Sequence, residues 1–444
     1  MTNEDPLAWD RQVRLLAEFD ELYRIRLNQD PKGADPSGPF IGVPPITERT
    51  AFAELQSFPG ELPIRHPLER WFYRLADARV NAPFRRRIAC FWRSDRVEIE
   101  SLKETNLTRA DLLRRVLRDG PARHQSWSEL EKSLDAEGPS PSELWQRRDE
   151  LAKRAGFENL EKVLDPVEGT RELVEQWQER SAPITGDVLP REALASLSVG
   201  MSMEASKGWP VHISAPSMAR LLGEKTWMSL APVKEPRWPE LLGPSSFVRA
   251  LYHLGGSLAG AWAPESCAFV LSHDPWKLES HRLGALVSSL ALNESWHLRV
   301  LGSNKDQARL QVRALARSVL LESRWLCLKV SLRAAAVESR NALNSALAEL
   351  SYRWLGFELP TSMAGYVPRL GRSDAQRLLG LWLGIADHMS LIQTFDEDWY
   401  RNPRAIETLR GQILERPSLQ PEKLQVSEAQ VATLRWLSSN LDCA

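Results

Sequence analysis

The segment that decides the fold is Phe247–Trp262, FVRALYHLGGSLAGAW. Its large apolar residues recur at the three- and four-residue spacing of one helix face, namely Phe247, Leu251, Leu254 and Leu258. Ser245 or Ser246 precedes them as a candidate N-cap. We therefore predict an amphipathic helix, in which the adjacent glycines Gly255 and Gly256 allow another helix or strand to come close.

Within this helix, His253 is followed by Leu254 and, four residues on, by Ser257. Metallopeptidase helices carry H-E-x-x-H, because histidines four residues apart share a face and bind one Zn²⁺, while the glutamate activates the zinc-bound water. Leu254 cannot accept a proton, and the hydroxyl of Ser257 is a poor zinc ligand. If this was once a zinc site, its chemistry has been removed, and we assign no catalytic residue.

Three further segments share a pattern with this degenerate motif: Leu144–Phe157, His281–Gly302 and Phe395–Pro403. Together they resemble the all-helical gluzincin metallopeptidases of the thimet-oligopeptidase-like group, over roughly residues 144–403. The resemblance implies a two-lobed helical bundle with a deep groove between the lobes. It also implies a second zinc helix, whose third-ligand position falls near Glu279 or His281. The family's oxyanion-stabilising Tyr or His has the candidates Tyr366 and His388.

A rearranged metal site is the alternative to an inactive one. His253 and His281 would bind the metal together with one further group, which is Glu279, Asp274 or His273. No carboxylate stands beside His253 to act as general base, so ordinary zinc hydrolysis is not expected. His273-Asp274-Pro275 is more typical of a turn that starts a helix than of a ligand pair.

Composition excludes several classes of function. The 444 residues carry a formal net charge of −1, so no global field attracts nucleic acid or anionic lipid. No apolar run is long enough for a membrane span, and the polar N-terminus is not a secretion signal. The four cysteines are far apart, which favours reduced, mostly buried thiols and a cytoplasmic protein. The basic run Arg85–Arg87 is expected to pair with acids of neighbouring helices rather than with RNA.

We predict a predominantly α fold with two lobes. Residues 1–185 form an N-terminal helical lobe with a Pro/Gly-rich connector at 30–45, and residues 186–444 form a C-terminal helical lobe that contains the degenerate zinc-site helices. At most a small β element is expected, near 205–235. The pattern over Asn304–Glu338 is apolar on many sides, which is typical of a helix in the middle of a bundle.

Local signals predict several element boundaries. Leu68–Trp92 has a long helical pattern with a kink at Pro83. Thr108-x-x-Asp111 and Ser126-x-x-Glu129 resemble capping boxes that start two short helices.

Three functional hypotheses follow. The first is a catalytically inactive metallopeptidase-like protein, without metal or cofactor, that binds a peptide or protein partner in the groove between lobes and can assemble with an active paralogue. The second is a metal-dependent hydrolase with the rearranged site. The third is a purely structural helical scaffold. None of the three involves nucleic acid or a membrane.

Overall fold

The computed structural model describes residues 6–37, 40, 45–58, 64–99, 104–116, 123–135, 138–186, 188–189, 209, 244–264, 266–364, 366, 370–415 and 421–441. Within these residues the protein is predominantly α-helical, which confirms the predicted fold class. The only sheet among them is one antiparallel pair of short strands.

The elements before residue 190 are, in chain order, α1 Pro6–Gln29, α2 Arg49–Ser57, α3 Arg65–Val80, α4 Ala82–Arg93, β1 Arg96–Ile99, β2 Glu104–Thr108, α5 Arg109–Val116, α6 Arg123–Asp135, α7 Pro141–Arg154, α8 Leu160–Leu164 and α9 Thr170–Ser181. Single 3₁₀ turns occupy Pro45–Thr47 and Ala182–Ile184.

The later elements are α10 Pro244–Ala261, α11 Phe269–Ser272, α12 Leu278–Ser288, α13 Glu294–Arg299, α14 Lys305–Glu338, α15 Arg340–Leu355, α16 Asp374–Phe395, α17 Pro403–Glu415 and α18 Lys423–Asn440. Further 3₁₀ turns lie at Ser289–Leu292, Thr361–Met363 and Trp399–Arg401.

The central helix is α14, as its all-round apolar pattern predicts. Asn304 caps it by accepting a hydrogen bond from the Gln307 N–H (2.9 Å), and the Gln307 side chain accepts one from the Asn304 N–H (3.1 Å). Residues along its whole length are buried, and it packs against α7, α9, α15, α16 and α18. This helix therefore joins elements from both ends of the chain in one core.

The N-terminal helices hold the connection between α11 and α12. The carboxylate of Asp10 accepts hydrogen bonds from the first two N–H groups of α11, those of Phe269 (3.0 Å) and Val270 (2.8 Å). Two side chains of α3 donate to the loop that follows: the Trp71 indole to the His273 carbonyl (2.6 Å), and Arg74 to the carbonyl of Pro275 (2.7 Å).

A buried ion-pair network centres on Asp77, which has no exposed surface. Its carboxylate accepts hydrogen bonds from Arg148 (3.2 Å), from Arg372 and from the Asn81 amide (2.8 Å). Burial alone would raise the pKa of Asp77, but the two guanidinium groups and the amide outweigh it and hold that pKa well below its usual range. Arg372 precedes α16, so the network links the C-terminal half to α3 and α7.

The basic run makes contacts within the chain. Arg85 forms an ion pair with the buried Asp20 (2.8 Å), which confirms the predicted pairing for this residue. Arg86 donates instead to the Pro31 carbonyl (3.1 Å), and Arg87 lies over the ring of Phe84.

Some predicted boundaries are wrong. The pattern over Leu68–Trp92 forms two helices rather than one kinked helix, because the chain breaks at Asn81 and Pro83 lies in the first turn of α4, where proline is well tolerated. Helix α10 starts at Pro244, so the two serines proposed as its N-cap lie inside it.

The strand pair β1–β2 was not predicted. The β element expected near 205–235 lies outside the described residues except for Trp209, whose ring packs against Phe247 with centroids 5.3 Å apart. The division into lobes at 185/186 stays a prediction, and helices from the two sides of it pack together, as α9 does with α18.

Cys90 and Cys267 are partly exposed free thiols, and Cys327 is a buried one; Cys443 lies outside the described residues. Among the described helices, none combines the length and the apolar character needed to cross a membrane.

Candidate functional site

The candidate site is built on α10 and α12, whose backbones touch. A methyl group added at Gly255 would overlap the carbonyl oxygen of Leu283 and come within 2.8 Å of Val287. In the reverse direction, a methyl group at Gly284 would lie 2.8 Å from the Tyr252 carbonyl oxygen. The predicted close approach at the double glycine is confirmed, because α12 is the helix that approaches.

The opposite face of α12 packs equally closely against α16. Methyl groups at Gly380 and Gly384 would strike the main chain of Arg282. The side chain of Arg282 is nearly buried and forms a two-pronged ion pair with Asp387 of α16, at 2.6 and 2.8 Å. Helix α12 is thus fixed between two neighbours, by main-chain contact and by charge.

The three positions of the degenerate motif have different environments. Leu254, at the position where an H-E-x-x-H motif has its glutamate, is 1% exposed and belongs to the main hydrophobic core. Ser257, at the position where that motif has its second histidine, donates its hydroxyl to the Leu254 carbonyl of its own helix (2.6 Å). His253 is exposed. The apolar face predicted from the sequence is confirmed, and the position that would carry a general base faces that core.

His281 lies against α10 through Tyr252, whose hydroxyl oxygen is 2.6 Å from Nδ1 of His281. Burial, followed by the positive charges of Arg377 and Lys277, lowers the pKa of His281 to about 3. The imidazole is therefore neutral, and Nδ1 and the Tyr252 hydroxyl share one hydrogen bond, while Nε2 is buried and has no hydrogen-bond partner among the described residues.

The electrostatic environment of His253 also disfavours a cation. Although much of the ring surface is exposed, its partial burial lowers the pKa of His253 first, and the charges of Arg249, Arg377 and Lys277 lower it further. Of these three cations, Arg377 forms an ion pair with Glu322, and the Arg377 side chain is about half exposed. A divalent ion placed beside His253 would meet repulsion from all three.

The rearranged metal set is not brought together. No group of three or more His, Cys, Asp or Glu side chains among the described residues has the geometry to hold a metal ion, and all five proposed ligands are described. Asp274 accepts hydrogen bonds from the N–H groups of Leu278 (2.8 Å) and Trp276 (3.3 Å), so it starts α12 as predicted. His273 stacks on Phe269, with ring centroids 4.4 Å apart.

The two candidates for the oxyanion-stabilising group are packed elsewhere. Tyr366 lies in a separate small hydrophobic cluster with Phe91 and Trp92, and its hydroxyl donates to the Pro139 carbonyl. His388 is fully buried on α16. There the Trp399 indole donates to its Nδ1 (3.2 Å), and burial lowers its pKa to about 4.

Sequence reasoning singled out His253 and His281 but missed Tyr252, Arg377 and Glu322, which set their environment. Tyr252 stands next to His253, yet its partner lies 29 positions on along the chain. No sequence pattern within α14 or α16 singles out Glu322 or Arg377. Their positions near the two histidines depend on how α10, α12, α14 and α16 pack together.

The described residues define a predominantly α-helical protein, in which α10 and α12 pack closely around His253 and His281. No family model matches the sequence, and no curated protein matches it. Three solved chains match the structure; one, described as "BsuCP Crystal Structure", has a TM-score of 0.48 and 12% sequence identity, over 98% of this chain and 97% of that chain. A likeness this distant supports no inference about function.

Proposed function

We propose that this chain is a catalytically inactive relative of the all-helical gluzincin metallopeptidases and that it binds a peptide or protein partner. The observation that carries the proposal is the burial of Leu254, at the general-base position, in the main core. A peptidase of this class needs a carboxylate there to activate the zinc-bound water. An apolar side chain packed away from solvent has no such capacity.

The surroundings of His253 support the loss of metal chemistry and indicate what binds instead. Arg249, Arg377 and Lys277 place positive charge around an exposed imidazole. This environment favours an acidic side chain or a terminal carboxylate of a partner over a cation. We expect the partner to place an acidic group beside Arg249 and His253 on α10. An active paralogue is one candidate partner, and the cytoplasm is the expected location.

A peptidase assay tests the inactive assignment. The purified protein is incubated with a defined mixture of peptides of varied sequence, with and without added Zn²⁺, and the products are identified by mass spectrometry. We expect no cleavage in either condition. Robust zinc-dependent hydrolysis that His253→Ala abolishes would refute the proposal.

Binding is tested with the same peptide mixture on immobilised protein. We expect retained peptides to be enriched in Asp and Glu, and Arg249→Glu to reduce their retention severalfold. Arg171→Glu, which makes the same charge change on an exposed position of α9, is the matched control and should retain them as wild type does. An equal loss of peptide retention in both variants would indicate an effect of net charge rather than a site at His253. If the wild type retains no peptide, the proposed peptide-binding function is contradicted.

A further inference from the structure

The outer face of α1 is apolar although it does not pack on the core. One side of this helix is buried, through residues such as Trp9, Val13 and Leu16. Four large apolar side chains of the same helix are exposed to between 38 and 57%: Leu15, Phe19, Leu22 and Ile25. They follow one another at intervals of three or four residues, so they form one strip on the side of the helix away from the core. We call these four residues the α1 stripe.

Such a strip is found on α1 alone among the described helices. Ten large apolar or aromatic side chains of the described residues are exposed, and four of them make up the α1 stripe. The other six are spread over five helices: Val80, Leu298, Leu310, Tyr352, Leu424 and Val431. Single exposed apolar residues are ordinary on a protein surface, whereas a contiguous strip indicates an interaction site.

An arginine without a counter-charge lies beyond each end of the stripe. Arg11 stands four residues before Leu15, and Arg26 stands four residues after Leu22, so each adjoins the stripe on the same side of the helix. Both arginines are exposed, and neither forms an ion pair with another described residue. At 1.5 Å per residue, they are about 22 Å apart along the helix.

The other surface charges of α1 neutralise one another. Arg14 forms an ion pair with Glu18 (3.5 Å), and Arg24 forms one with Glu21 (2.7 Å). A partner of this face therefore meets apolar side chains between two unpaired positive charges. The complementary surface has apolar side chains between two acids.

The same charges disfavour a second copy of this chain as the occupant. If two α1 helices packed stripe against stripe in antiparallel orientation, Arg11 of each would lie near Arg26 of the other. In a parallel pair each arginine would face its own counterpart, so like charges meet in both arrangements. An anionic membrane is disfavoured as well, because Glu18 and Glu21 lie beside the stripe and would meet the same lipid surface.

We propose that the α1 stripe binds an amphipathic helix of a protein partner. Apolar residues of that helix, at three- and four-residue spacing, pack on Leu15, Phe19 and Leu22, and an acidic residue beyond each end of them pairs with Arg11 or Arg26. The inference does not rest on the proposed function, because no residue of the degenerate motif takes part in this surface.

A synthetic helical peptide tests the site on the full-length protein. The probe consists of Ala and Gln, except for three leucines at four- and three-residue spacing and one glutamate four residues outside each end leucine. A second peptide has lysine in place of both glutamates. Fluorescence anisotropy of the labelled peptides is followed as protein is added. We expect saturable binding of the glutamate peptide and roughly tenfold weaker binding of the lysine peptide, because lysine repels the two arginines.

Variants of the stripe and of its two arginines test each part of the surface. Leu22→Gln removes the most exposed apolar side chain of the stripe and should weaken binding of the glutamate peptide about tenfold. Leu424→Gln makes the same change at an exposed position of α18 and should bind as wild type does. The double variant Arg11→Glu/Arg26→Glu should reverse the preference, so that the lysine peptide binds more tightly than the glutamate peptide.

The proposal is overturned if the glutamate peptide shows no saturable binding, if Leu22→Gln binds it as well as wild type does, or if the double variant keeps the wild-type preference. Sedimentation velocity and flotation with vesicles of phosphatidylcholine and phosphatidylserine test the other occupants. Self-association or vesicle binding that Leu22→Gln abolishes would assign the stripe to a second copy or to a membrane, and would also overturn the proposal. Thermal unfolding of each variant separates loss of the surface from loss of the fold.

Discussion

Gly255→Ala tests the main-chain contact between α10 and α12 on which the candidate site depends. In a helix, alanine is favoured over glycine by about 1 kcal/mol. At Gly255, however, the added methyl group overlaps the Leu283 carbonyl oxygen, which is main chain and cannot turn aside as a side chain would. Overpacking of this kind costs up to about 3 kcal/mol. Subtracting the helix preference leaves a net loss of about 2 kcal/mol.

Gly411→Ala is the matched control. Gly411 lies inside α17, and a methyl group there meets no atom within 4 Å. The same substitution should therefore stabilise the protein by up to about 1 kcal/mol. The two variants are compared by urea and thermal unfolding, followed by far-UV circular dichroism. Opposite signs are expected, and a Gly255→Ala protein as stable as Gly411→Ala would refute the packing argument.

Three other predictions concern stability. His388→Gln should reduce the pH dependence of the free energy of unfolding. The pKa of His388 is about 4 in the folded state and 6.5 in the unfolded state, so its contribution to stability is present above pH 6.5 and is lost on acidification towards pH 4, up to about 3 kcal/mol. In urea unfolding at pH 6.5 and pH 4, the wild type should therefore lose more stability than the variant. Asp77→Asn leaves buried arginines without a counter-charge and should lower the free energy of unfolding by about 3–5 kcal/mol. Glu143→Gln, at an exposed ion pair, should lower it by under about 0.5 kcal/mol. Equal effects of the two variants in thermal unfolding would contradict the role of the buried network. Asn304→Ala removes the cap of α14 and should cost about 1 kcal/mol, and an unchanged melting temperature would show that the cap is dispensable.

Signals within one turn of a helix predicted structure well. The box predicted at Thr108 is present, because the Thr108 N–H donates to the Asp111 carboxylate (2.9 Å) and the helix α5 begins at the next residue. The similar box at Ser126 is wrong, because α6 begins three residues earlier at Arg123 and the serine is buried inside the helix. A short cap signal does not determine whether tertiary packing extends the helix beyond it.

The candidate site was predictable only in part, because local sequence signals do not determine which helices pack together. The double glycine at 255 and 256 indicated a close neighbour, and the neighbour is there. The sequence did not show that this neighbour is α12, because the contact of Gly284 with the Tyr252 carbonyl oxygen has no pattern in the sequence around Gly284. A cavity lined by Arg333 was not predictable, because its walls come from the neighbouring helices α7 and α8 and from α14, which lies far along the chain.

Elemental analysis of protein purified without chelators tests the central claim most directly. Wild type and His253→Ala are compared for zinc at matched concentration. The account predicts no stoichiometric zinc in either, because Ser257, at the position of the second histidine ligand, donates its hydroxyl to its own helix, and because cations surround His253. About one zinc per chain in wild type, lost in His253→Ala, would contradict it and would restore a metal-dependent enzyme.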